Sequence, residues 1–401
     1  MAQLTTMWPQ VSLGQICEIN PRRPSNLERA ENEPTTFVPM ESVDDLSGKI
    51  CWPKRRTFTE IKRGYTFFAE NDVLFAKITP CMQNGKHAIA RDLINGIGFG
   101  TTEFHVVRPN DKIIAEWIHY FLRQPSTLNT AEAAFTGSAG QQRVPKEFLE
   151  NLEIPLPPLA EQQRIVAILN ERLAAVERAR KAAAAQLVAA QALPAAYLRE
   201  VFESEQAARW PKMRLEDVLI QRREMIHPRD NPKGPATFVG LEHIESQTGR
   251  RIGSLAVEMA ELTGRKPRFY QGDIVYGYLR PYLNKVWLAE FDGLCSVDQY
   301  IYTVDEDIAD KEFIIWFMRS STYLKRAPIG LTPGQLPRIR TEEVGAVEIN
   351  LPDIATQKTV IQRLQKKLGH TFQMITAVNS QIDAIAKMPA ALLRQAFNGE
   401  L

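Results

Sequence analysis

Ala192-Leu-Pro-Ala-Ala-Tyr-Leu-Arg-Glu-Val-Phe202 returns 195 residues later as Lys387-Met-Pro-Ala-Ala-Leu-Leu-Arg-Gln-Ala-Phe397. At the same offset Ile154-Pro-Leu-Pro-Pro-Leu-Ala-Glu-Gln162 is echoed by Ile349-Asn-Leu-Pro-Asp-Ile-Ala-Thr-Gln357. Further upstream the offset drifts to 201 or 202, as short loop insertions would make it. Trp8-Pro9 then matches Trp210-Pro211, and Asn71-Asp-Val-Leu-Phe-Ala-Lys-Ile-Thr-Pro80 matches Gly272-Asp-Ile-Val-Tyr-Gly-Tyr-Leu-Arg-Pro281. A repeat at this length means that one module occurs twice, and the fold follows from the module.

Each module has two parts. Residues 158–204 hold no glycine and are rich in Ala, Gln, Leu, Glu and Arg, all good helix formers. Apolar residues recur at Ile165, Leu169, Leu173, Val176, Ala183, Leu187 and Ala190, and in the second copy at Val360, Leu364, Leu368, Phe372, Ile375, Ile382 and Ile385. That spacing predicts two amphipathic helices that bury their stripes against each other as an antiparallel intramolecular coiled coil. Pro194 and Pro389 are expected to stop or kink each helix and start a short second one, leaving long helices of roughly 35 residues. The remaining segments alternate apolar and polar residues between Gly and Pro, as at Asp273-Ile-Val-Tyr-Gly-Tyr-Leu279, which predicts strands. Two buried helices are expected around 116–123 and 312–319. The predicted class is α+β with an approximate two-fold: mixed lobes at 1–157 and 205–352, helical spacers at 158–204 and 353–401.

The chain has 401 residues, 44% of them apolar and 24% charged, enough to bury real cores. No run of about 18 apolar residues is present, and the first residues lack a basic head before an apolar stretch, so a cytoplasmic protein is expected. Cys17, Cys51, Cys81 and Cys295 are far apart and form no CxxC, which reads as reduced thiols.

Catalytic chemistry is not legible. His87, His105, His119, His227, His243 and His370 are scattered, with no HExxH and no neighbouring ligand at metal spacing. Gly96-Ile-Gly-Phe-Gly100 has the wrong spacing for a dinucleotide loop and is read as a strand-linking turn. The expectation is a non-enzymatic chain with no catalytic residue, no metal and no cofactor of its own.

Net charge is only +2, and each lobe nets −1, so a polyanion would have to be met by local patches. Two loops at equivalent places combine Gly, Gln and basic residues. One spans 136–146 with Gln141, Gln142, Arg143 and Lys146; the other spans 330–340 with Gln335, Arg338 and Arg340. Gln pairs bidentately with adenine and Arg with guanine, while Lys and Thr suit phosphate. The strand ends with Lys77 and Thr79, and with Tyr278, Arg280 and Tyr282, form a second candidate set. All twelve are candidate DNA contacts.

The 154–166 run Ile-Pro-Leu-Pro-Pro-Leu-Ala-Glu-Gln-Gln-Arg-Ile-Val, the paired Asp-initiated strands, the Gly-Ser-Ala-Gly-Gln-Gln-Arg-Val loop and the lobe-helix-lobe-helix order resemble the specificity subunit of type I DNA restriction-modification systems. The resemblance covers essentially the full length. The second copy departs from the first where Asn350, Asp353 and Thr356 replace Pro155, Pro158 and Glu161. The resemblance implies two target-recognition domains that read halves of a split, asymmetric site in double-stranded DNA. It also implies docking of two methyltransferase (modification) subunits and, through them, a restriction/translocase subunit, with S-adenosylmethionine, ATP and Mg belonging to those partners. Two other readings fit the residues alone: a coiled-coil scaffold that joins proteins without touching DNA, and an enzyme with an unrecognised site in the lobes.

Overall fold

The computed structural model describes residues 8–25, 27, 29–138, 141–328 and 336–401. The chain divides into two compact units, one of residues 1–183 with 381–401, the other of residues 184–380. Each unit therefore takes one lobe and a part of each long helix.

In the first unit an antiparallel sheet runs in the order Cys17–Ile19, Phe104–Pro109, Val73–Ala76, His87–Ile89. A second sheet runs Lys54–Thr57, Pro34–Val38, Ile97–Gly100, Thr66–Ala69, with one parallel pair between Pro34–Val38 and Ile97–Gly100. The second unit repeats both sheets strand for strand, as Leu219–Arg222, Gln299–Val304, Ile274–Gly277, Val286–Leu288 and as Lys266–Phe269, Gly293–Cys295, Pro235–Val239, Leu255–Glu258, with Met225–Ile226 added at one edge. The Val73–Ala76 strand is buried throughout because its sheet is covered on both faces, which is why its sequence is continuously apolar.

The glycine run at 96–100 has a use beyond the turn expected for it. After a short turn at Ile94–Gly96, residues Ile97–Gly100 are a strand, and a Cβ on Gly98 would lie 2.3 Å from the ring of Phe68. In the second unit a Cβ on Gly293 would meet Phe269 at 2.6 Å. Both glycines leave room for an aromatic ring crossing the sheet.

The turns that open Val73–Ala76 and Ile274–Gly277 are tied by buried carboxylates. Asp72 accepts from the amide of Ala69 and from a two-pronged Arg108 at 2.8 and 2.6 Å. Asp273 likewise accepts from the amide of Tyr270 and from Arg222 at 2.8 and 3.2 Å. The same tie is reached from different strands, since Arg108 lies in Phe104–Pro109 and Arg222 in Leu219–Arg222.

The long helices are Leu159–Phe202 and Ile354–Phe397, each of 44 residues or about 66 Å. Pro194 and Pro389 lie inside them, so of the stop or kink expected at each proline the stop does not occur. Each proline removes one amide donor, but the turn after it is held by packing: Leu198 and Phe202 are buried in the core of the second unit, and Leu393, Ala396 and Phe397 in that of the first. Within the first unit Arg164 donates to the carbonyl of Leu401 at 2.7 Å. Within the second, Lys367 meets Glu200 at 2.7 Å and lies 5.1 Å from the ring of Tyr197. In both units the start of one helix meets the end of the other, so the pair is antiparallel.

The buried stripe of the second helix is Leu364, Leu368, Thr371, Val378 and Ile385, with Ile375 and Ile382 partly buried. These alternate at four and three residues, a heptad seam. Phe372, expected on the stripe, is 57% exposed. Two successive steps of four from Leu364 outrun the seam, and the chain places Thr371 there, its hydroxyl donating to the carbonyl of Lys367 at 3.0 Å.

Gln162 and Gln357, the repeated glutamines, are fully buried. Gln162 donates to the carbonyls of Pro157 and Lys112 and accepts from the amide of Ile114; Gln357 donates to Pro352 and Ile308 and accepts from Asp310. Each saturates a helix start against the loop that enters a buried helix of its own lobe, Ala115–Leu122 or Lys311–Met318. Phe397 completes this anchorage in the first unit, with its ring 4.4 Å from Trp117 and 5.3 Å from Phe121. Phe202 does so in the second, 5.3 Å from Phe313 and 5.5 Å from Phe317.

Among the described residues no helix is long and apolar enough to cross a membrane, and no group of three His, Cys, Asp or Glu is placed to hold a metal.

Candidate nucleic-acid interface

The two sets of residues that stand apart in the sequence, the strand ends and the basic loops, are joined in each unit into one platform. In the first unit the amide of Thr79 donates to the carbonyl of Gln142 at 3.1 Å and the amide of Val144 donates to that of Lys77 at 2.9 Å. Ile78 thereby bridges to Arg143. In the second unit the amide of Arg280 donates to Pro337 at 2.7 Å, that of Ile339 donates to Tyr278 at 3.2 Å, and Leu279 bridges to Arg338. The main chain is the same; the side chains it carries are not.

In the first unit three of the six candidate side chains, those of Thr79, Arg143 and Lys146, are engaged within the protein. The Arg143 guanidinium grips Glu103 with two prongs, both 2.9 Å, and its remaining nitrogen donates to the carbonyl of Gln141 at 2.9 Å. Hydrogen bonding to Arg143 holds the Glu103 carboxyl below its usual range. Three of the five guanidinium N–H groups are thereby engaged within the protein, which braces the loop. Lys146 opens the helix Lys146–Asn151 and pairs with Glu150 at 2.6 Å. Thr79 donates to Gln83 at 2.5 Å, and Gln83 in turn donates to Glu132 at 2.6 Å. Gln141 is exposed and Gln142 half-buried. Lys77 is half-buried and its ammonium makes no hydrogen bond among the described residues.

The second platform is more open. Arg338 and Arg340 are exposed, and neither forms an ion pair among the described residues. Glu103 has its counterpart in Asp298, whose carbonyl accepts from the amide of Tyr278 as that of Glu103 accepts from Lys77. Asp298 is turned toward the Tyr278 hydroxyl at 3.5 Å and toward Ser296 at 3.3 Å. Tyr278 stacks on Tyr300 with centroids 4.4 Å apart and planes 23° from parallel, and burial followed by the neighbouring Asp298 raises its phenol above the usual range. Arg280 is exposed in a left-handed conformation with φ of 49°. Tyr282 is 46% exposed, its carbonyl accepting from Gln247 at 2.8 Å. Gln335 lies outside the described residues.

Sequence reasoning missed a cleft of about 470 Å³ beside Lys77 in the first unit. Asn20, Arg23, Lys62, Tyr65 and Thr102 reach it from three separate segments of the chain. Lys62-Arg63 stands out in the sequence as a basic pair, but nothing there points to Arg23 as its neighbour.

Residues 6–185 match the family described as type I restriction modification DNA specificity domain. The EcoEI specificity subunit of a type I restriction enzyme from Escherichia coli is 35% identical over 207 residues, 51% of this chain and 34% of that one. The EcoAI specificity subunit, also from Escherichia coli, is 36% identical over 204 residues with the same coverage. The match thus spans about a third of the length of those relatives. The MjaVIII specificity subunit of Methanocaldococcus jannaschii is 23% identical across 96% of this chain and 92% of its own. Among solved structures, the HsdS subunit from Thermoanaerobacter tengcongensis shares the fold with a TM-score of 0.70 and 19% identity, over 98% of this chain and 97% of that one. A chain solved in work on complex assembly and conformational transition of the type I R-M system shares it with a TM-score of 0.76 and 21% identity, over 98% of both.

Proposed function

We propose that this chain, whose residues 6–185 match the type I restriction modification DNA specificity domain, is the DNA-reading subunit of a methylating complex and performs no chemistry itself. The observation that carries this reading is the pair of platforms: one main-chain arrangement, built twice, displaying Lys77, Thr79, Gln142 and Arg143 in one unit and Tyr278, Arg280, Pro337 and Arg338 in the other. A shared backbone with different side chains suits a target in two unlike halves. Duplex DNA has two-fold symmetry, so a module repeated along antiparallel helices suits half-sites on opposite strands and two identical modification subunits. The helices then serve as the spacer. S-adenosylmethionine for methylation, and ATP and Mg for a restriction/translocase partner, belong to those other chains.

The test is reconstitution of the full chain with a modification protein from the same genome, followed by mapping of methylated adenines across that genome. A bipartite motif is expected. A four-residue insertion in the middle of both long helices, about 6 Å by helix rise, should change the spacer between the halves and leave both half-sites intact. Tight assembly with no DNA preference and no methylation would favour a protein scaffold instead.

A further inference from the structure

The cleft in the first unit differs in kind from the platforms beside it. Its described lining holds three cations, Arg23, Lys62 and Lys77, with no carboxylate, over a floor of Phe67, Phe99 and Phe104. Arg23 and Lys77 have no ion-pair partner among the described residues, so an anion entering the cleft meets uncompensated positive charge. Arg23 donates one nitrogen to the main-chain carbonyl of Lys62 at 2.8 Å, which fixes its guanidinium against that segment and leaves the rest of its fork without a hydrogen bond among the described residues. Lys62 carries an outer partner, Glu31, at 2.7 Å; Glu31 is 73% exposed, so this pair is loose and readily exchanged for a stronger anion. Glu103, whose carboxylate also feels the charge of Lys77, is paired with Arg143. Asn20, at the cleft edge, is held by His105 at 3.0 Å and by the amide of Val106, so that wall is rigid.

The second unit does not repeat the cleft's charge pattern. Following the strand register, Phe67 corresponds to Arg268 and Lys77 to Tyr278. Arg268 there stands 3.8 Å from Glu224 and over the ring of Tyr270, so an acid is built in.

We infer that this cleft binds a backbone phosphate of duplex DNA and anchors the first unit regardless of sequence, while the adjoining platform reads bases. The inference rests on the DNA-reading function proposed above and assigns to it a division of labour. A phosphate fits the chemistry, since Arg offers a planar fork to two oxygens and Lys a compact charge to a third.

The experiment uses the full chain in its reconstituted complex, with fluorescently labelled duplexes, one carrying a methylated-genome motif and one of scrambled sequence. Affinity is measured across a potassium chloride series for the wild type, R23Q/K77M and the charge-preserving R23K. Each phosphate contact contributes about 0.9 to the slope of log affinity against log salt. The R23Q/K77M slope should fall by about 0.9, with affinity for both duplexes dropping by the same factor, tenfold or more at about 0.1 M salt. R23K should retain most of the wild-type slope, which separates lost charge from lost folding. An unchanged slope in R23Q/K77M, or a loss confined to the motif duplex, would overturn the assignment. A wild-type complex that does not distinguish the duplexes would instead defeat the proposed function, a separate result.

Discussion

Replacing Phe397 with alanine should loosen the first lobe and leave the second intact, although the residue lies almost three hundred positions from the helix it supports. Its ring is 5% exposed and sits against both Trp117 and Phe121 of Ala115–Leu122. Removing a buried phenylalanine costs about 3 to 5 kcal/mol. Two aromatic contacts at these separations each contribute about 0.5 to 1.5 kcal/mol beyond area burial, which puts the variant toward the upper end. A domain is typically stable by about 5 to 15 kcal/mol, so such a loss consumes a large share of one unit's stability. Phe202→Ala is the mirror experiment, since that ring is also 5% exposed and packs on Phe313 and Phe317 of Lys311–Met318. Hydrogen exchange on the full-length chain reads each helix separately. F397A should shorten protection in Ala115–Leu122 with Lys311–Met318 unaffected, and F202A should do the reverse. Equal loss in both helices, or none in either, would refute the reasoning that each long helix is anchored through its terminal ring to the lobe of its own unit.

The first lobe should also be the acid-sensitive one. Burial, and then the nearby Arg123, hold the His119 imidazole neutral down to about 3, and His87 is lowered from the same causes. Unfolded, His119 titrates at about 6.5, so below that pH the unfolded chain takes up a proton that the folded chain refuses. Its contribution is fully present above pH 6.5 and is lost as pH falls toward 3, about 2 kcal/mol by pH 5 from His119 alone. Urea unfolding followed at pH 7 and pH 5 should show this loss in the first unit; a flat profile would contradict it. At the first platform, Glu103→Gln and Arg143→Ala should weaken DNA binding by the same factor, and the double variant by no more than either alone, because the two side chains act as one brace. Additive losses would mean that Arg143 touches DNA on its own account.

The duplication, the helical segments, the alternation of the strands and the near-neutral charge with local basic loops are all legible in the sequence, because each depends on residues close in the chain or on a repeat that can be counted. Even so, local signals misplaced details. Pro194 and Pro389 look like helix ends, yet the packing of Leu198 and Leu393 one turn later carries the helices through. Phe372 looks like a core residue, yet a seam of alternating four and three residue steps passes through Thr371 beside it. The candidate site was legible as two pairs of segments and not as one surface. That Lys77 shares hydrogen bonds with Val144, that Arg143 is claimed by Glu103, and that Arg23 and Lys62 converge at one cleft are decided by the tertiary structure alone. A side chain's availability depends on which partner comes within about 3 Å of it, and between residues forty positions apart that distance is set by the packing of whole sheets, which periodicity and composition do not encode.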